Sequence, residues 1–261
     1  MALRQFGKDY YKQFIPKSGI PDRVFKYATV NDSLKDSLRE GYLWFSKPDD
    51  FNDPFDCWTA LVDFSQPKDY LEKLVDDRFP HLNRRDRRAK KRIVTNDLDK
   101  ASNVYKALTH QTMQMMGVCC FTLNDDHILM WSHYANNHRG LCLEFEPVVD
   151  LAYFLTAEVK YSDQFDPLNY FSSEDDALMI MVLTKSTVWS YEREIRIMRP
   201  MENGKMFFKR PALKGVIFGC RTSEKDIRDI RSIMSEHGYR DIRYRQASMA
   251  TDSFKLILSD I

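Results

Sequence analysis

Val24-Phe25-Lys26-Tyr27-Ala28, a polar stretch from Asn31 to Glu40, and Gly41-Tyr42-Leu43-Trp44-Phe45-Ser46 together decide the fold class. The first segment is rich in β-branched and aromatic residues and reads as a strand. Asn31 has the side chain of a helix N-cap, Leu34 and Leu38 lie four apart on one face, and Gly41 suits the left-handed residue that stops a helix. Tyr42 to Ser46 then reads as a second strand, which Pro48 and Phe51-Asn52-Asp53-Pro54-Phe55-Asp56 end in a turn-rich loop.

Outward from there, strands keep recurring at irregular intervals. Gly117 to Leu123, Gly140 to Glu146, Glu158 to Tyr161, Tyr191 to Met198, Lys214 to Phe218, Asp241 to Arg245 and Ser253 to Leu258 all carry strand patterns. Helices are expected over 67–116, at His127 to Tyr134, from Ala177 to Val188 and after the cap Ser223, where Ile227, Ile230, Ile233 and Met234 share one face before Gly238. There is no steady strand–helix alternation of a doubly wound sheet, so the class is α+β: a central mixed or antiparallel, split sheet with peripheral helices. Residues 1–23 read as an arm laid over a single domain spanning 24–261, with a helical, basic insertion at about 67–116.

Charge and composition limit the function classes. The 39 basic and 38 acidic residues nearly cancel, which argues against a globally basic nucleic-acid binder but leaves room for a local patch. Such a patch exists at Arg84-Arg-Asp-Arg-Arg-Ala-Lys-Lys-Arg92, with seven positive charges in nine positions. It is either a solvated helix face or a phosphate-contacting element. No apolar run reaches the ~20 residues of a membrane span, and the first residues lack a secretion signal, so the expected location is cytoplasmic. The five cysteines show no CxxC spacing and read as reduced packing residues. Rossmann, P-loop and nucleophile-elbow glycine motifs are absent from the sequence.

Three constellations carry chemical potential. In Trp189-Ser-Tyr191-Glu192-Arg193-Glu194-Ile195-Arg196, a strand would project Glu192, Glu194 and Arg196 from one face. On a surface this is an ordinary ion-pair ladder; in a central strand it makes a pocket that stabilises positive charge. In Met130-Trp-Ser-His133-Tyr-Ala135 and His138-Arg139-Gly140, His133 is a candidate acid or base. Asp125, Asp126, His127, His133 and His138 crowd together, but no recognised metal spacing occurs and no metal is expected. The loop of Asn52 and Phe55 positions its neighbours and offers aromatic walls for a flat ring.

In combination, Lys26-Tyr27, Trp44-Phe-Ser46, Phe51-Asn-Asp-Pro-Phe-Asp56, Met130-Trp-Ser-His-Tyr-Ala135, His138-Arg-Gly140 and Trp189-x-Tyr-Glu-x-Glu-x-Arg196 resemble a widespread, uncharacterised bacterial domain family. The opening strand, capped helix and strand ending in Ser46 are also similar to ADP-ribosyltransferase-like proteins. Glu192-Arg-Glu194 looks like the paired glutamates of mono-ADP-ribosyltransferases. This second resemblance implies a toxin or anti-phage defence effector that uses NAD as co-substrate. It implies Glu194 as the catalytic carboxylate, Glu192 orienting the acceptor, and Lys26, Tyr27, Ser46, Asn52, Phe55, Arg139, Tyr191 and Arg196 around the dinucleotide. The chain departs from that superfamily in having Lys26 where His or Arg is usual, and in lacking a Ser-Thr-Ser strand unless Cys120-Phe121-Thr122 replaces it. The implied partners are a macromolecular acceptor, RNA or DNA through residues 84–92, and an antitoxin. Two other readings remain open: a metal-dependent nuclease or hydrolase using Glu192, Glu194, Asp56 and His133, and a non-catalytic sensing or scaffold domain.

Overall fold

The computed structural model of the chain describes residues 19–65, 68–95 and 98–261. Most of the expected arm over residues 1–23 therefore lies outside the described residues.

In chain order, β1 (Val24–Ala28) leads into α1 (Asp32–Glu40) and β2 (Tyr42–Phe45), followed by β3 (Val62–Asp63). Three helices come next, α2 (Lys68–Arg78), α3 (Arg84–Thr95) and α4 (Leu98–Met115). After them come β4 (Gly117–Thr122), α5 (Ile128–Tyr134), β5 (Leu141–Phe145), β6 (Thr156–Glu158), β7 (Lys160–Tyr161) and β8 (Leu168–Asn169). The chain continues through α6 (Glu174–Leu183), β9 (Thr184–Lys185), β10 (Glu194–Arg199), β11 (Gly204–Phe207) and β12 (Leu213–Phe218). It closes with α7 (Glu224–Glu236), β13 (Arg243–Met249) and β14 (Leu256–Asp260).

Eight strands form one mixed sheet in the order β14-β13-β12-β5-β1-β4-β10-β6. Within it only β12 and β13, joined through α7, run parallel. The class expected from sequence, α+β with a large mixed sheet and peripheral helices, is what the structure has. The caps act as read: Asn31 accepts a hydrogen bond from the Leu34 amide, and Gly41 takes the left-handed conformation at φ 84°.

Strand alternation divides the molecule into two layers. Val24, Cys119, Phe121, Leu143, Phe145, Ile195, Ile197, Val216 and Phe218 face one side and are covered by α1 and α7. On the other side, Phe25, Tyr27, Cys142 and Ile217 pack against Trp131 of α5. Val118 and Met198 on that same side meet α6.

Between β1 and β4 the sheet is open at one end. β1 registers with β4 only at Phe25 and Thr122, and Ser46, just after β2, bridges to Val118 four residues away. The Cys120 carbonyl between these points accepts instead from the Lys26 ammonium at 3.0 Å. β2 itself pairs with β11, a strand not read from the sequence.

Several boundaries differ from expectation. The helix expected from Ala177 to Val188 stops at Leu183 and gives way to β9. The strand expected from Tyr191 starts at Glu194, because residues Thr187–Glu192 form a 3-10 helix closed by Arg193 in the left-handed region at φ 43°. The two closing strands begin later than expected, at Arg243 and Leu256.

Gly140 lies where the chain enters β5, and a Cβ there would sit 2.2 Å from the Ala28 carbonyl oxygen. Gly140→Ala should therefore force β1 and β5 apart and cost about 2 kcal/mol, as overpacking typically does. Equilibrium urea unfolding checks this; an unchanged midpoint would contradict the close approach.

Candidate functional site

The β10 face that carries Glu194 and Arg196 is the buried one. Arg196 is fully buried and all five of its N–H donors are engaged. Its Nε donates to Glu194 Oε1 at 2.8 Å and Nη2 to Glu194 Oε2 at 3.0 Å. Nη1 and Nη2 donate to Asp56 Oδ1 and Oδ2 at 2.7 and 2.6 Å, and Nη1 also to the Val182 carbonyl at 2.5 Å. Phe51 lies against the guanidinium, 5.2 Å from ring centroid to Cζ.

Lys185 completes the network. Its ammonium contacts Glu192 Oε2 at 2.6 Å, Glu194 Oε2 at 3.1 Å and Asp56 Oδ2 at 3.7 Å. Three carboxylates thus surround two cations, and every one of these side chains is at most 5% exposed.

Glu192 and Glu194 converge for a reason the strand pattern does not supply. Glu192 is the last residue of the 3-10 helix, and the left-handed Arg193 turns the chain so that both acids meet Lys185. That backbone is pinned on both sides. Asp163 accepts from the Thr187 amide and the Ser186 hydroxyl, each at 3.0 Å, and also from the Thr187 hydroxyl. The Thr122 hydroxyl donates to the Glu192 carbonyl, and Asn124 Nδ2 to the Tyr191 carbonyl at 2.8 Å. Tyr161 accepts from the Glu194 amide at 2.9 Å.

The two acids differ electrostatically. Burial would raise Glu194, but Arg196 and Lys185 overcome it and hold its pKa at about 2. Burial raises Glu192 above its ordinary range, and the Glu194 charge adds to this against the pull of Lys185 and of Tyr134, whose hydroxyl donates to Glu192 Oε1 at 2.5 Å. Adjacent carboxylates with pKa values pushed apart are a common arrangement at acid–base sites.

Above Glu192 lies an aromatic surface. Trp189 covers Lys185, with Nζ 5.0 Å from its ring centroid. Tyr191 lies 6.1 Å from Trp189 and stacks on His127 at 5.2 Å. His133 is exposed, 6.4 Å from each of Trp189 and Tyr191 and 6.2 Å from Tyr134.

Of the residues singled out in the sequence, the structure gathers Glu192, Glu194, Arg196, Tyr191 and His133 here. Asn52 lies near enough to Tyr134 to act on its hydroxyl. Tyr27 lies on the same face of the sheet, one link away: its hydroxyl donates to the carbonyl of Asn124, the residue that holds Tyr191. Others are elsewhere. Lys26 projects to the opposite face. Ser46 bridges Val118, roughly 13 Å along β4 from the partner of Glu194. Phe55 is on the surface, edge-on to Trp58 at 5.4 Å. Arg139 is exposed in the loop before β5. Arg196 has no donor left for a pyrophosphate.

Sequence reading missed Lys185, Tyr134 and the binding of Asp56 to Arg196. A single lysine closing the apolar run Ala177 to Leu183 was the available signal for the first. The thiols nearby are inert: burial pushes Cys57 up to about 12 and Cys120 well above its usual range. Among the described residues, no group of three or more His, Cys, Asp or Glu side chains is placed to hold a metal ion, and no helix is long and apolar enough to cross a membrane.

A model of a family described as a protein of unknown function (DUF2971) matches residues 130–197. That span runs from Met130 through His138-Arg139-Gly140 to Arg196, and so includes three of the blocks on which the resemblance to an uncharacterised family was drawn. No curated protein and no solved structure matches the chain.

Removing Arg196 would strand Asp56 and Glu194 as buried, poorly compensated charges. Arg196→Met should cost about 3–5 kcal/mol, and Arg196→Lys, which keeps the charge but not the fork, should fall between. Urea titration measures both, and wild-type stability in Arg196→Met would show that the network does not hold the fold.

The depressed Glu194 pKa sets an acid limit. The stabilisation it brings is full above its ordinary value of 4.5 and is lost as pH falls through that value toward about 2. Stability measured across this window should drop with pH in the wild type and change less steeply in Glu194→Gln.

Proposed function

We propose that this chain transfers ADP-ribose from NAD to a macromolecular acceptor, with Glu192 as the carboxylate that meets the ribose and Glu194 as the group that sets its charge. One observation carries this reading: the buried network holds three carboxylates against two cations, and the electrostatic excess falls on Glu192, whose partner Lys185 lies under Trp189 and whose partner Tyr134 lies beside His133.

As the bond from C1′ of the ribose to nicotinamide lengthens, positive charge grows on the sugar. A carboxylate disfavoured in the resting protein by burial and by Glu194 gains most from that charge, so the interaction strengthens in the transition state. Tyr134 and Lys185 orient Glu192, and the aromatic side chains above provide surfaces for the nicotinamide ring. The assignment reverses the roles expected by analogy, because Glu194 is locked by the Arg196 fork and Lys185 together, whereas Glu192 is held by one cation and a phenol. The opening of the sheet between β1 and β2 beside β4 supports an ADP-ribosyltransferase-like split sheet.

A nucleic-acid acceptor is favoured by the way α3 sorts its charges. Lys91 is bound to Asp76 at 2.7 Å, Lys90 lies over Phe79 at 3.8 Å, and Arg87 donates to the Pro80 and Leu82 carbonyls. Arg84, Arg85, Arg88 and Arg92 are exposed on the rest of the helix, where planar forks suit phosphate oxygens. In the cell the chain then acts as a toxin or defence effector, restrained by an antitoxin protein.

The test incubates the purified chain with NAD labelled in its ADP-ribose half, together with separated DNA, RNA and protein fractions. The expected result is nicotinamide release with label on nucleic acid, reduced roughly 10²–10³-fold in Glu192→Gln, and growth arrest on expression of the wild type only. Absence of both nicotinamide release and label transfer would remove the transferase reading.

A further inference from the structure

A second site lies across α5 from the acid network. The loop before β5, the start of α7 and the hairpin joining β13 to β14 enclose a cavity of about 570 Å³, lined by Ile128, His138, Arg221, Met249, Phe254 and Leu256 among others. This volume suits a small organic ligand. We propose that the cavity binds a small planar anion, an aromatic ring bearing an N–H donor and a phosphate or carboxylate, independently of the NAD reading.

The placement of His138 supports this. Asn136, Asn137 and His138 stand in succession in the left-handed region, at φ 46°, 53° and 67°. Asn and His are among the side-chain-bearing residues that enter this region most readily, so the sequence itself suits the tight loop that presents His138. Gly219 admits the turn, since a Cβ there would lie 2.2 Å from the His138 carbonyl oxygen. The Arg221 amide donates to that same oxygen at 2.9 Å. The imidazole is nearly coplanar with Trp131, at 6.4 Å and 13°.

Its hydrogen bonding leaves one atom unanswered. The Ser132 hydroxyl donates to the Ile128 carbonyl at 3.0 Å, so it accepts from His138 Nε2 at 3.1 Å. Nδ1 is then the bare acceptor of a neutral ring, and it is buried without a hydrogen-bond partner. Burial, with the Arg221 charge adding to it, lowers the pKa of the ring and keeps it neutral. Nδ1 is closed off from the open cavity, so a ligand N–H reaches it only when the side chains over it move aside, and the acceptor then gains its missing partner.

The rest of the lining supplies what else such a ligand requires. Arg221 provides a fork for the anionic group. Met249 is 69% and Phe254 99% exposed, so a ring laid against them would cover apolar surface that is in water without it.

Isothermal titration with AMP and with anthranilate tests the site, since each carries a planar ring with an N–H donor and an anionic group, phosphate in one and carboxylate in the other; adenosine serves as the control without an anion. Saturable binding of either anion is expected, at least tenfold weaker for adenosine than for AMP if AMP binds. Arg221→Ala and Phe254→Ala, both surface changes, should weaken it tenfold or more, while Glu192→Gln should leave it unchanged. The proposal fails if neither anion saturates below the millimolar range, or if binding survives both substitutions. It fails equally if binding is lost in Glu192→Gln and kept in Arg221→Ala, which would put the ligand at the acid network. Because binding is read without turnover, failure of the transferase reading leaves this result intact.

Discussion

A guanidinium with no exposure to water is the constraint around which this half of the molecule is organised. Isolated in a low-dielectric interior, Arg196 would be prohibitively costly. It is tolerable only because Asp56 and Glu194 each present two oxygens to its fork and the Val182 carbonyl takes the fifth hydrogen. Those partners come from the loop after β2, the start of β10 and the end of α6. None of the three segments can settle in a dry core until the others arrive, so the ion network couples distant parts of the chain. Its geometry also accounts for the early end of α6: Lys185 must leave the helix to meet the acids.

The same strand serves two layers. Ile195 and Ile197 fill the apolar side under α1 and α7, while Glu194 and Arg196 face the charged side. Rigid aliphatic packing on one face thus fixes the polar side chains on the other, because a strand anchored by Ile195 and Ile197 cannot rotate. Where regular strand geometry stops, at Arg193, the chain is held instead by Asp163, Thr122 and Asn124.

Elements driven by local chemistry were legible in the sequence: the Asn31 cap, the Gly41 stop, the amphipathic α7, the alternation that marks β5 and the apolar run that marks β12. What sequence could not give was any feature whose cause lies far along the chain. Trp189 to Glu192 has no local signature separating a 3-10 turn from a strand, and Arg193 adopts a left-handed conformation that its side chain does nothing to favour. The binding of Asp56 to Arg196 spans 140 positions. Lys26 and Tyr27 are adjacent on a strand, so they face opposite sides of the sheet and cannot both belong to one site.

The bland alternative, in which the Glu/Arg segment is a structural ladder, has to account for the charge count. A network that served stability alone would gain by balancing its charges or by giving way to apolar residues of the same volume, because buried ion pairs add little net stability. Here two cations serve three carboxylates, and the arrangement leaves Glu192 the least favoured to ionise while Glu194 is locked as an anion. Deleting Glu192 would relieve the imbalance and leave Arg196 bound by Glu194, Asp56 and the Val182 carbonyl, while taking from Lys185 its shortest contact and from Tyr134 its acceptor. The proposed transition state, a cation forming beside it, gives that third acid a role.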